Sequence, residues 1–137
     1  MKDLFWEEKG IEMRNGGDPQ AGSDDNNIVS VQDNKIYFYS EVSRPKILAL
    51  NKSIIRVSNS IKNRSQVLGA PDVPIELHIC SYGGSVFSGF AAVDYIINSQ
   101  APVHSIIDGC AASAATIMSV VADERFIHRH SFMLIHQ

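Results

Sequence analysis

Strand-like and helix-like patterns alternate from residue 75 to residue 137, and this alternation restricts the possible folds more than any other feature. Strand-like segments alternate apolar and polar residues, whereas helix-like segments repeat apolar residues every three or four positions. In chain order the segments are "PIELHIC", "VFSGFAAVDYIINSQ", "APVHSIID", "GCAASAATIMSVVA" (a turn of small residues that becomes helical), "ERFIHRH" and "SFMLIHQ". This order predicts an α/β fold with repeated β-α units, a mainly parallel sheet and right-handed crossovers.

Two short strands and a helix are predicted ahead of this alternation. "NIVSVQDNKIYFYSEV" is rich in β-branched and aromatic residues on both sides of "QDN", which predicts two strands joined by a turn. "RPKILALNKSIIRVSNSIKNRS" predicts an amphipathic helix, because its apolar residues share one face (Ile47, Leu50, Ile54, Val57 and Ile61). In the later helix "VFSGFAAVDYIINSQ", the apolar residues on one side are Val86, Phe90, Val93 and Ile97.

The first 27 residues differ in composition from the rest of the chain. The stretch "NGGDPQAGSDDNN", residues 15–27, consists of turn-forming and acidic residues with no apolar residue beyond Ala21. This composition is typical of a flexible linker. We therefore divide the chain into a flexible N-terminal arm with an acidic linker, residues 1–27, and one folded domain, residues 28–137.

Charge and hydropathy argue against several classes of protein. The formal net charge is −3 and no lysine- or arginine-rich stripe is present, so we expect no nucleic-acid partner. The chain has no run of 18 apolar residues, and its N-terminus lacks the apolar core of a secretory signal. We therefore expect a cytoplasmic protein without a membrane span, in which Cys80 and Cys110 are reduced thiols.

Two loops at the carboxyl ends of predicted parallel strands are the expected place for chemistry. In "GCAASAATIM", Ser113 lies where a helix begins, and the free N–H groups there favour a developing oxyanion. In "SYGG", Gly83 and Gly84 allow the backbone to approach a ligand and to present an N–H. A glycine amide and the Ala114 amide would then form a two-donor oxyanion hole. The alternatives are a serine that merely fills a tightly packed site and a plain glycine turn.

A serine nucleophile needs a base, and the chain offers several histidines. His136 ends an apolar strand whose tip would meet the two loops, although a buried structural histidine is the alternative. His78 lies within a predicted strand and is expected to be structural. His128 and His130 could bind metal, but they are expected on one strand face with no carboxylate beside them, so we expect no metal site.

Three segments in this order, "LHICSYGGSVFSGFAAVDYI", "VHSIIDGCAASAATIM" and "SFMLIHQ", resemble the proteolytic subunit of the Clp protease. That family has the ClpP/crotonase-like fold, and the likeness covers about residues 34–137. The resemblance implies that the protein is a serine peptidase and that its subunits form an oligomer. It assigns Ser113 as nucleophile, His136 as general base, Gly84 and Ala114 as oxyanion-hole donors, and Gly83 and Ser85 as substrate-binding residues.

The chain departs from the family pattern in three places. Tyr82 stands where the family has a loop proline, and Ala114 stands where it has methionine. Family chains also continue past the His-Gln pair into a long helix and the triad aspartate. The resemblance therefore implies an incomplete, C-terminally truncated domain with the apolar strand "SFMLI" uncovered. Asp94, Asp108 and Asp123 precede His136, and none of them matches the family's acid.

Three explanations account for the missing acid. The first, and the most economical, is that the sequence is a fragment of a longer protein. The second is that the chain is a split or degenerate subunit that another chain completes. The third is that an unexpected group orients His136. A triad that lacks its acid can lose about 10⁴ in turnover.

The resemblance implies a Clp-type serine endopeptidase that cuts proteins through an acyl-serine intermediate. It also implies self-association into rings and an ATP-driven AAA+ unfoldase partner, with no cofactor in this chain. The main alternative is a non-catalytic or split subunit of a mixed ring. A virus-type protease that processes capsid proteins remains open, and an acyl-CoA enzyme of the same fold ranks lower because it does not require the Ser113–His136 pair.

Overall fold

The computed structural model describes residues 29–136, so the arm and linker predicted for residues 1–27 lie outside the described residues. Three helices and six strands follow one another in this part of the chain. They are β1 Val29–Gln32, β2 Lys35–Phe38, α1 Arg44–Leu68, β3 Ile75–Ser81, α2 Val86–Ile97, β4 Val103–Ala112, α3 Ala114–Val120, β5 Glu124–Ile127 and β6 Phe132–Leu134. The predicted alternation of strands and helices is confirmed.

All six strands form one sheet. Strands β1 to β5 lie side by side in chain order, and β6 pairs with β4 beyond the end of β5. The β1–β2 hairpin is antiparallel, whereas every other pairing is parallel. The predicted α/β class with a mainly parallel sheet is therefore correct.

Helix α1 covers one face of the sheet, as its apolar periodicity predicts. All five residues of the predicted face are at most 6% exposed. Pro45 lies in the first turn, where a missing N–H is tolerated, and Gly69 ends the helix in the left-handed conformation. A fully buried leucine or isoleucine contributes about 1.5 to 3 kcal/mol relative to an exposed one, so this face anchors α1 to the sheet.

The buried side of α2 differs from its apolar side. Ser88, Gly89, Ala92 and Ile96 are buried, whereas the large apolar residues Val86, Phe87, Phe90, Tyr95 and Ile97 are 42–86% exposed. The reason is close packing of α2 against the start of α3. A Cβ on Gly89 would lie 3.3 Å from the carbonyl oxygen of Ala114, so only small residues fit between the two helices.

Strand β4 is longer than predicted. The segment "GCAA" was expected to form a turn, but it continues the strand to Ala112 and pairs with β6. Gly109 has φ 82, and the register between β3 and β4 shifts between Ile79 and Ser81. Past this irregularity β4 continues as a strand, because Ala111 pairs with Ser81 of β3 and residues 110–112 pair with β6.

The histidine pair of "ERFIHRH" does not lie on a strand. Strand β5 ends at Ile127, and residues 128–131 form a turn in which the Ser131 N–H donates to the His128 carbonyl at 2.9 Å. The expectation that His128 and His130 share one strand face is therefore wrong.

The apolar strand β6 is uncovered, as expected. Phe132, Met133, Leu134 and Ile135 are between 37% and 79% exposed in the described structure. None of the helices in residues 29–136 combines the length and apolar character that a membrane crossing requires.

Candidate active site

Ser113 occupies the sharp turn between β4 and α3. Its φ of 52° and ψ of −124° place a residue with a Cβ in a region that non-glycine residues rarely adopt. Such strain clusters at functional sites, and a serine on a strained strand-to-helix turn is the geometry of a nucleophile elbow. The Ser113 side chain is half-buried, and its hydroxyl makes no capping hydrogen bond to α3.

Strand β6 carries the chain from the turn after β5 to the side of Ser113. Ala112 pairs with Leu134, and the Ser113 N–H donates to the Leu134 carbonyl at 3.0 Å. His136 is only two positions past Leu134, and its side chain is exposed. Backbone pairing therefore brings the segment that carries the predicted base beside the predicted nucleophile.

The glycine loop lies directly against the serine turn. A Cβ on Gly83 would lie 2.6 Å from the Ala112 carbonyl oxygen, 2.8 Å from the Ser113 Cβ and 3.1 Å from the Ala114 nitrogen. Gly83 has φ 98, and its N–H donates to the Ser81 hydroxyl at 3.1 Å. Gly83 therefore approaches the serine turn so closely that no other residue type could occupy the position without movement.

Gly84 is held by the backbone that follows β2. The Val42 N–H donates to the Gly83 carbonyl at 2.8 Å, and the Ser85 N–H donates to the Val42 carbonyl at 2.8 Å. In a parallel bridge of this kind, the N–H of the central residue, Gly84, points away from Val42. Gly84 has φ 147, and a Cβ there would lie 2.4 Å from the Val42 carbonyl oxygen.

Ser85 has a structural role in the loop. It is the N-cap of α2, and its hydroxyl accepts a hydrogen bond from the Ser88 N–H at 3.2 Å. This bond satisfies one of the free donors at the start of the helix. Ala114 is the first residue of α3 and is 1% exposed, so its amide belongs to the same helix end as Ser113.

Two of the three aspartates considered as triad acids bind other groups. Asp123 accepts from the Val103 N–H at 2.7 Å. Asp108 accepts from the Tyr39 hydroxyl at 2.6 Å and lies 2.9 Å from His78 Nδ1. Asp94 is an exposed residue of α2.

The contacts of Asp108 belong to a polar cluster that sequence reasoning missed. The His128 Nε2 lies 3.0 Å from Asp108 Oδ1, so a carboxylate does lie beside this histidine, contrary to the expectation. Burial, followed by the hydrogen bond to Asp108, raises the pKa of Tyr39 well above its usual range, which keeps its hydroxyl protonated. The residues come from the position after β2, from β3, from β4 and from the turn after β5, so only the sheet register brings them together.

Of the two cysteines, Cys80 and Cys110, the buried Cys110 is a poor alternative to Ser113 as a nucleophile. Both are free thiols, and Cys110 is buried in β4. Burial, together with the neighbouring Cys80, raises the pKa of the Cys110 thiol. Because the thiolate is the reactive form, this shift lowers its nucleophilic reactivity near neutral pH.

Comparison with known proteins agrees with the fold. The family model described as Clp protease matches residues 31–137. The ATP-dependent Clp protease proteolytic subunit 1 of Chlamydia caviae is 42% identical over 72 residues, which are 51% of this chain and 38% of that protein. The same-named subunit of Protochlamydia amoebophila is 44% identical over 69 residues, which are 49% of this chain and 34% of that protein.

Solved structures show the same fold. ClpP1 from Listeria monocytogenes superimposes with a TM-score of 0.66 at 22% identity, covering 77% of this chain and 57% of that chain. The ClpP protease catalytic domain from Plasmodium falciparum gives a TM-score of 0.62 at 21% identity, and the superposition covers 74% of this chain and 53% of that chain. The match spans little more than half of each structure and about a third of each curated relative. With a family model matched over residues 31–137 and the fold shared, the chain belongs to the Clp protease family.

Proposed function

We propose that this chain is a proteolytic subunit of a Clp-type serine endopeptidase, with Ser113 as nucleophile and His136 as general base. The observation that carries the proposal is the hydrogen bond from the Ser113 N–H to the Leu134 carbonyl. It joins the strained serine turn to the strand that leads to His136. Neither a filler serine nor a distant structural histidine requires this arrangement.

The proposed reaction follows the chemistry of serine peptidases. The Ser113 Oγ attacks the scissile carbonyl while the His136 imidazole takes its proton, and the carbonyl oxygen becomes an oxyanion held by the Gly84 and Ala114 amides. The imidazolium then protonates the leaving amine as the C–N bond breaks, which leaves an acyl-serine. A water molecule, deprotonated by His136, attacks this ester and releases the acid and the free serine.

An extended polypeptide is the substrate that the site geometry fits. Within the described residues, β6 pairs only with β4, so its other edge has free backbone groups next to Ser113. A substrate strand can pair with such an edge through main-chain hydrogen bonds. Gly83 and Ser85 would contact the substrate from the glycine loop, while their backbone N–H groups stay bonded to Ser81 and Val42.

Labelling by a fluorophosphonate tests the nucleophile in the wild-type chain. The probe phosphonylates a serine only where a base and oxyanion donors activate it, so we expect one adduct per folded chain. Tandem mass spectrometry should place that adduct on Ser113, and heat-denatured protein should not react. An adduct on a different serine, or no adduct on the folded chain, would contradict the assignment.

We propose that the subunits form rings, because the exposed side of α2 is apolar and because the chain belongs to the Clp protease family. Phe87 is 86% exposed and Phe90 is 50% exposed, and both lie among other exposed apolar residues of the same helix. An apolar patch on a monomer is typical of a surface that binds another subunit. The AAA+ unfoldase partner is proposed only because the matched relatives are named as ATP-dependent proteases.

Substitution Phe87→Glu tests the self-association surface. A charge at the centre of an apolar interface would have to be desolvated, so we expect a shift of the full chain from oligomer to monomer. Sedimentation velocity would measure the change. Val67→Glu is the matched control, because Val67 is 85% exposed but lies near the end of α1. Unchanged mass in Phe87→Glu would remove α2 from the interface.

A non-catalytic subunit is the second candidate. Asp108 and Asp123 both accept hydrogen bonds from other groups, so neither of these two aspartates is placed to serve as the acid that orients His136. Oligomer formation without labelling of Ser113 would favour this candidate.

A further inference from the structure

A compact group of two histidines and one aspartate lies on the face of the sheet opposite the main core. His78 lies between the core residues Leu77 and Ile79 of β3, and Asp108 follows the core residue Ile107 of β4. Because side chains alternate along a strand, His78 and Asp108 both point to the opposite face. His128 joins them from the turn after β5, where its N–H donates to the Ile107 carbonyl at 3.2 Å.

The donor atoms of these three residues are close enough to share one ion. One ligand atom from each of His78, Asp108 and His128 lies within 4.8 Å of the other two. His78 Nδ1 is 2.9 Å from Asp108 Oδ2, and His128 Nε2 is 3.0 Å from Asp108 Oδ1. Zinc binds histidine nitrogen and carboxylate oxygen at about 2.0 to 2.2 Å, so small side-chain movements would admit it.

Hydrogen bonding within the protein does not fully satisfy these groups. Asp108 Oδ1 is buried without a hydrogen-bond partner in the described residues, although His128 Nε2 is 3.0 Å away. The His128–Asp108 contact is thus close without an aligned hydrogen bond, whereas the other carboxylate oxygen, Oδ2, is hydrogen-bonded to His78 Nδ1 at 2.9 Å. His78 is 9% exposed, and its Nε2 also lacks a hydrogen bond within residues 29–136.

The surrounding residues hold the side chains of Asp108 and His78 in place. The Tyr39 hydroxyl donates to Asp108 at 2.6 Å, which leaves the other carboxylate oxygen available. The Tyr37 ring stacks on the His78 ring at 4.6 Å and fixes its plane. Glu76 Oε2 lies 3.6 Å from His78 Nε2, where metal-ligating histidines commonly direct their second N–H to a carboxylate.

We propose that His78, Asp108 and His128 bind one divalent transition-metal ion, with Zn²⁺ as the best match to two imidazoles and a carboxylate. A fourth position remains open to water, since the His128 side chain is 65% exposed at this surface. The bound ion ties the turn at residues 128–131 to β3 and β4. The ion therefore fixes the position of the turn that leads into β6. The metal site does not depend on the proposed peptidase activity.

Isothermal titration of the full chain, with no affinity tag, tests this site. We expect one Zn²⁺ per chain, a higher melting temperature with the ion, and at least about 100-fold weaker binding in His78→Gln and in His128→Gln. His130→Gln is the matched control, because it removes a histidine of the same turn that lies outside the group. It should bind Zn²⁺ as the wild type does.

Three results would overturn the proposal. The first is wild-type binding weaker than about 100 μM. The second is unchanged affinity in His128→Gln, a variant of an exposed residue whose folding can be verified by circular dichroism. The third is a thiolate-to-metal charge-transfer band after Co²⁺ addition, which would place the ion on Cys80 or Cys110 instead.

Discussion

Ser113→Ala is expected to reduce fluorophosphonate labelling of the folded chain to background. The substitution removes the attacking oxygen but leaves the β4–α3 turn, because the Ser113 hydroxyl makes no capping hydrogen bond. Loss of a catalytic serine typically lowers turnover by about 10⁴-fold or more. The free energy of unfolding should change by less than about 1 kcal/mol, since no buried hydrogen bond is broken.

The readout and the control separate chemistry from stability. Time-resolved mass spectrometry gives the labelling rate, which depends on the nucleophile and its base and requires no turnover. Ser60→Ala is the control, because Ser60 is an exposed serine on α1 and should label at the wild-type rate. Persistent labelling of Ser113→Ala would show that another residue reacts, and the assignment of the nucleophile would be wrong.

Gly83→Ala is expected to destabilise the protein by about 3 kcal/mol or more. The new Cβ would meet the Ala112 carbonyl oxygen at 2.6 Å and the Ser113 Cβ at 2.8 Å, and neither belongs to the end of a flexible side chain. The φ of 98° adds backbone strain for any residue with a Cβ. Because relief requires the glycine loop to separate from the serine turn, labelling of Ser113 should fall as well.

Gly69→Ala isolates the steric part of this effect. Gly69 also has a positive φ, 62°, but nothing lies within 4 Å of a Cβ built there. We expect it to cost about 1 to 2 kcal/mol, which is the backbone penalty alone. Thermal unfolding would compare the two variants, with about 4 to 8 °C expected per kcal/mol for a domain of this size. Equal melting temperatures would mean that the loop adapts and that Gly83 does not position Ser113.

Local sequence patterns predicted the elements whose contacts are local. The spacing from Ile47 to Ile61 specified the buried face of α1, since a helix presents every third or fourth residue to the same side. The turn at "QDN" and the parallel order of β3 and β4 followed in the same way. The placement of Ser113 at the start of α3 was also predictable, because the run of small residues that follows the strand pattern changes there into a helical pattern.

The orientation of α2 could not be predicted from its own periodicity. Its large apolar residues point outward because the backbone at Gly89 packs against Ala114, and this contact leaves no space for them. The length of β4 was missed for a similar reason. Residues 109–112 carry no strand pattern, and they become a strand through pairing with β6 and through the pairing of Ala111 with Ser81 of β3.

The sequence by itself determined the class of fold, the helix and strand order, and the residues that could carry peptidase chemistry, because periodicity and short motifs are local properties of the chain. Only the tertiary structure decided which side of α2 is buried and that His78, Asp108 and His128 meet on one face of the sheet. In the chain, His78 and Asp108 are 30 positions apart, and Asp108 and His128 are 20 positions apart. They meet through the register of β3, β4 and β5, which depends on backbone pairing along whole strands and leaves no pattern around any one of them.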